Sequence, residues 1–165
     1  MPGVFNWIYD YDNKVWVPVK SDEDGVQQVY DPNAAPKSVG KLQLAATTID
    51  LQQAAASYDL FTGTTQDVIL EKLVIRLPNI NVSDDATITS ISIQTDDATP
   101  QVFISAVTGA KANLTAEAQL GWTGVARIKA GTKIQLTIAG GAADASTVCD
   151  VVAECRAVVA EGYLA

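Results

Sequence analysis

The stretch Thr147-Val148-Cys149-Asp150-Val151-Val152-Ala153-Glu154-Cys155-Arg156-Ala157-Val158-Val159 alternates two kinds of position. The odd members, Thr147, Cys149, Val151, Ala153, Cys155, Ala157 and Val159, are small or apolar, while the even members carry Asp150, Glu154 and Arg156 among valines. A period of two marks an extended strand with one buried face. Burying each valine stabilises by about 1.5 to 3 kcal/mol, and a one-residue slip would turn the charges inward, so the alternation fixes register as well as conformation.

Working backwards, comparable segments run over Lys133 to Ala139, Gly124 to Ala130, Val102 to Val107, Thr87 to Thr95, Val68 to Leu77, Ser57 to Thr62, Thr47 to Leu51 and Lys41 to Ala45. Between them stand residues of turn chemistry: Gly63, Pro78-Asn79, Ser83-Asp84-Asp85, Asp96-Asp97, Pro100, Gly109, Gly131 and Gly140-Gly141. Short strands at this spacing imply a β-sandwich or barrel. A two-sheet jelly roll is the first choice, because the connection from Thr108 to Trp122 is too long for a simple meander. Leu114 to Leu120 reads as a helical turn or as another strand, and Leu51 to Ala56 has the same ambiguity. The fold class is therefore all-β: a jelly-roll-like antiparallel β-sandwich over residues 41–165 with a small N-terminal β-hairpin arm over 1–30, joined by a linker over 31–40.

The arm differs in kind. Phe5, Trp7 and Tyr9 alternate on one extended segment, Asp10 to Lys14 supplies a turn, and Val15, Val17 and Val19 alternate on a returning one, which is a hairpin signal. Pro18 cannot donate a ladder hydrogen bond, which predicts an edge strand or a bulge. Asp24-Gly25 introduces a third strand over Val26 to Tyr30, and Pro32, Asn33, Ala34, Ala35 and Pro36 read as linker. A unit this small, with neither disulfide nor metal, does not hold a core of its own. Its aromatics need a surface to lie on, so Phe5, Trp7, Tyr9, Trp16 and Pro18 are candidate partner-interface residues.

The chain has 165 residues, 48% of them hydrophobic, which suits one domain with a real core plus a short appendage. Its net charge of −8 opposes binding to phosphate backbones, and no apolar run is long enough to span a bilayer, so neither nucleic acid nor membrane is expected as a partner. Residues 1–7 show neither a basic n-region nor an apolar h-region, and the expectation is synthesis in a cytoplasm. Cys149 and Cys155 lie on one face of one strand, about 20 Å apart, too far for a disulfide. They read as small buried hydrophobes.

There is no histidine, which removes the Ser/His/Asp and Cys/His relays and the His-containing metal sites. The glutamates form no motif and the aspartates sit mostly in turns, so the chain reads as non-enzymatic, with no cofactor and no catalytic residue. The clusters Asp10/Asp12/Asn13, Asp22/Glu23/Asp24, Asp84/Asp85 and Asp96/Asp97 offer oxygen ligands, but the first fails as an EF-hand because Lys14 and Val15 stand where a ligand and a glycine are required. Turn chemistry accounts for all four, and no metal or small-molecule ligand is expected. Trp122, between Gly121 and Thr123-Gly124, is a loop tryptophan suited to stacking on a sugar ring, to plugging the end of a sandwich or to a subunit contact. It joins the interface candidates.

Thr48-Ile49-Asp50-Leu51, then Ala54-Ala55-Ala56-Ser57-Tyr58-Asp59-Leu60-Phe61-Thr62, Val68-Ile69-Leu70-Glu71-Lys72-Leu73, Ile91-Ser92-Ile93-Gln94-Thr95-Asp96-Asp97, Ala118-Gln119-Leu120-Gly121-Trp122-Thr123-Gly124 and Ala157-Val158-Val159-Ala160-Glu161-Gly162-Tyr163-Leu164 together resemble small virion proteins of tailed bacteriophages. The likeness is to capsid decoration, or cement, proteins, and covers most of residues 41–165. It implies a jelly roll, commonly a homotrimer, seated on the outer surface of the virion and bound to the major capsid protein after assembly in the bacterial host cytoplasm. Its action would be adhesive and would require no catalysis. The alternative from the residues is a carbohydrate-binding or host-recognition head of a fibre or spike, with Trp122 and the acidic loops as its site, or a tail or neck structural subunit.

Overall fold

A computed structural model describes residues 7–10, 15–21, 27–29, 40–158 and 162–165. The chain divides into two units, Met1–Lys37 and Ser38–Ala165. In the first, β1 (Trp7–Asp10), β2 (Val15–Ser21) and β3 (Gln27–Val29) form one antiparallel sheet in the order β1-β2-β3. The expected linker lies, up to residue 39, outside the described residues, as do Phe5 and residues 11–14.

The second unit holds β4 (Leu42–Asp50), β5 (Ser57–Thr64), β6 (Val68–Arg76), β7 (Ser90–Thr95), β8 (Val102–Ile104), β9 (Gln119–Ile128), β10 (Lys133–Ala139), β11 (Val148–Ala157) and β12 (Tyr163–Leu164). One sheet runs β4-β11-β6-β9, the other β12-β5-β10-β7-β8. Counted from β4, first pairs with eighth, second with seventh, third with sixth and fourth with fifth: β4 with β11, β5 with β10, β6 with β9 and β7 with β8. This is one long hairpin rolled on itself so that β11 also meets β6 and β10 meets β7, the double Greek key of a jelly roll.

Alternation builds the core. Along β11 the odd positions Cys149, Val151, Ala153, Cys155 and Ala157 are buried while Asp150, Val152, Glu154 and Arg156 face outward. Leu73, Ile75, Leu70 and Ile128 come from the same sheet, and Phe61, Ile91, Ile93, Ile134 and Leu136 meet them from the facing one. Cys149 and Cys155 are unbonded and buried, and burial pushes the Cys149 thiol up to about 12. In β6 the buried phase switches from Val68 and Leu70 to Leu73 and Ile75, because the register slips past Glu71. A bulge absorbs the extra residue and keeps both charges of Glu71-Lys72 out of the core.

Several local expectations change. Lys41 to Ala45 and Thr47 to Leu51 are one strand, β4, since Ala46 supplies no turn chemistry. Gly63 is not a turn residue: it lies inside β5, where a Cβ would stand 2.6 Å from the Lys129 carbonyl oxygen, so glycine is needed for backbone approach. Gly131 does turn the chain, with φ of 85°. The connection after β8 holds a 3-10 turn at Lys111–Asn113, and β9 begins at Gln119, five residues before the expected strand. β12 was not anticipated; it pairs Tyr163 with Thr64 and Leu164 with Gly63, burying Leu164. A two-residue strand is too short for any periodicity to reveal.

Candidate interaction surfaces

In the N-terminal sheet the register sets Trp7 opposite Pro18 and Tyr9 opposite Trp16. Directly opposed positions share a face of an antiparallel pair, so these four of the five arm candidates occupy one face of the ribbon. Positions Ile8, Asp10, Val15 and Val17 occupy the other. Of the two expectations for Pro18, an edge strand or a bulge, the first does not hold, for β2 is the middle of the three. The reason is that β3 pairs only with Val19, Lys20 and Ser21, so Pro18 stands where pairing passes from β1 to β3.

Trp122 lies in β9 and not in a loop. It opposes the buried Leu73, is partly buried against the core, and meets Phe103 of β8 edge-on, with ring centroids 5.0 Å apart at 67°. The pair joins one strand of each sheet, and the indole crosses Gly124, where a Cβ would come within 2.6 Å of the ring. Trp122→Ala is expected to cost about 2 to 4 kcal/mol, read as a fall in the urea midpoint at unchanged slope. A loss under about 0.5 kcal/mol would show that the ring contributes little to closing the sandwich.

The acidic turns accept backbone N–H groups from segments remote in sequence. Asp144 N–H donates to Asp85 Oδ2 at 3.0 Å, Ala86 N–H to Asp144 Oδ2 at 3.2 Å, and Lys133 N–H to Asp96 Oδ1 at 2.8 Å. The clusters at 10–13 and 22–24 fall, apart from Asp10, outside the described residues. Among the described residues no group of three or more His, Cys, Asp or Glu side chains is placed to hold a metal, and no helix is long and apolar enough to cross a membrane.

Sequence reasoning missed the outer face of the β4-β11-β6-β9 sheet. Arg76, Arg127 and Arg156, scattered along the chain, lie on β6, β9 and β11 of this one sheet, Arg127 and Arg156 both in register with Ile69 near one end and Arg76 opposite Asp150 near the other. Ion pairs cross it or its end: Arg156 to Glu71 at 2.9 Å, Arg127 to Asp67 at 2.6 Å and Lys72 to Glu154 at 3.4 Å. The signal for the apolar part was Leu42 and Leu44, which alternate with partly buried Gln43 and Ala45, leaving leucines on the solvent side.

Three carboxyls are held below their ordinary value of 3.8: Asp50 chiefly by the Ser146 hydroxyl, Asp59 by the Lys133 ammonium and then Gln135, and Asp67 by the Ala130 N–H and then Arg127. A depressed folded-state value means stability present above the unfolded value and lost as pH falls through the folded one. The thermal midpoint is therefore expected to be level from about pH 7 to 5 and to decline below about pH 4. A midpoint that rose on acidification would contradict these pairings.

No family model and no curated sequence matches the chain. Solved structures do. In fold the chain is similar to two chains of phage capsids. One is from the acidic stable capsid structure of Helicobacter pylori bacteriophage KHP30, at 10% identity and a TM-score of 0.52, covering 78% of this chain and 96% of that one. The other is from the cyanophage Pam1 capsid asymmetric unit, at 15% identity and a TM-score of 0.50, covering 82% of this chain and 96% of that one. At such identities the likeness is one of fold.

Proposed function

We propose that this chain is a structural virion protein of a tailed phage, which decorates the outside of the capsid and bridges neighbouring major capsid proteins. The observation that carries the reading is the fold likeness to two phage-capsid chains, each taken up almost entirely by the match. A chain of this size, with no histidine and a net charge of −8, suits an adhesive added to a shell better than catalysis or DNA binding. A protein that binds only the assembled shell stabilises it by mass action, so contacts alone suffice.

In this reading the arm makes the critical contact. The ribbon brings Trp7, Tyr9, Trp16 and Pro18 to one face of a unit too small for a core, the arrangement expected of a surface completed by another chain, the shell or a sister subunit of a homotrimer. The carbohydrate-binding alternative is less well supported, because Trp122 packs inward on Phe103. The test is to mix purified protein with undecorated phage heads and image them by electron microscopy. Ordered, stoichiometric density on the outer surface is the expected result, and bare heads at saturating protein would reject the proposal.

A further inference from the structure

We infer that the outer face of the β4-β11-β6-β9 sheet is a self-association surface, occupied by a second copy of this chain. Leu42, Leu44, Val148 and Val152, exposed by 52%, 69%, 49% and 39%, all lie on the adjacent strands β4 and β11. The register lines up Ala46, Val152, Val74 and Gly121 across the four strands, an apolar row with its smallest members at the two edges. On one side of it runs the row Leu44, Glu154, Lys72 and Thr123, and on the other Thr48, Asp150, Arg76 and Gln119.

The charges choose the occupant. In both flanking rows the acid stands on β11 and the base on β6, so Asp150 and Glu154 form an acidic column beside a basic column of Arg76 and Lys72. A second copy whose β6 lies over this β11 sets opposite charge on opposite charge while the apolar rows meet. Two chains of net charge −8 repel across most of their surfaces, and this balanced face, which carries all three arginines, is where that repulsion is least. Four strands about 4.8 Å apart and nine residues at about 3.3 Å each give roughly 600 Å² of flat area, comparable with the about 800 Å² that each partner of a standard interface contributes.

The experiment is sedimentation equilibrium of the full chain over a range of concentrations, with Leu44→Glu and Val152→Glu as face variants and Val107→Glu as the control. Val107, 82% exposed, lies in the connection after β8 and off this sheet. All three positions are exposed, and circular dichroism checks that each variant is folded. The expected result is a mass above that of one chain, a dissociation constant raised at least about tenfold by either face variant, and no change in the control. A wild-type monomer at all concentrations overturns the inference, and so does an oligomer indifferent to both face variants. A monomer whose face variants fail to occupy phage heads also overturns it and assigns the face to the shell. The inference does not rest on the capsid reading: a self-associating chain that leaves heads bare would reject that reading and keep this one.

Discussion

Val151→Asp is expected to leave the jelly-roll domain unfolded at 25 °C, while Val152→Asp, one residue on, is expected to cost the folding of a single chain, measured at a concentration too low for association, no more than about 1 kcal/mol. Val151 is fully buried in β11, between β4 and β6, and opposes Thr47 and Ile75. An aspartate there forfeits about 1.5 to 3 kcal/mol of side-chain burial and adds several more for an unpaired buried carboxylate, against a total stability of about 5 to 15 kcal/mol. Val152 is 39% exposed on the opposite face. Circular dichroism and urea denaturation of the two variants separate the faces of one strand. Equal damage from both would mean that β11 does not sit in the register described.

The second large effect concerns the arm. Deleting residues 1–36 is expected to abolish occupancy on phage heads while leaving the thermal midpoint of the remaining domain within a few degrees. Among the described residues, every member of the core lies between Ile49 and Leu164, so the deletion removes none of them. The arm's candidates Phe5, Trp7, Tyr9, Trp16 and Pro18, by contrast, all leave with the deletion. Unchanged occupancy would remove the arm from the proposed contact and leave the sandwich itself as the adhesive part.

What could be read from sequence follows from how many residues carried each signal. β11 was legible almost to the residue because ten positions alternate without a break, and β10, Lys133–Ala139, because Ile134, Leu136 and Ile138 alternate with Lys133, Gln135 and Thr137. The jelly roll could be chosen over a meander from one long connection, although the pairing order itself depends on contacts remote in sequence. The Glu71 bulge left a trace, two adjacent charges in an apolar run, that is easily taken for a strand end. Trp122 was misplaced because Gly121 and Gly124 suggest a loop, whereas Gly124 is there to leave room for the indole. The outer face that carries the arginines was invisible, since Arg76, Arg127 and Arg156 share one sheet only once β6, β9 and β11 are laid side by side.

The most direct test of cementing is the temperature at which undecorated phage heads open, measured by light scattering or dye access with increasing amounts of the purified protein. The account predicts an opening temperature that climbs with occupancy and levels off when the sites are full. Heads that are fully occupied yet open at the temperature of bare ones would contradict it.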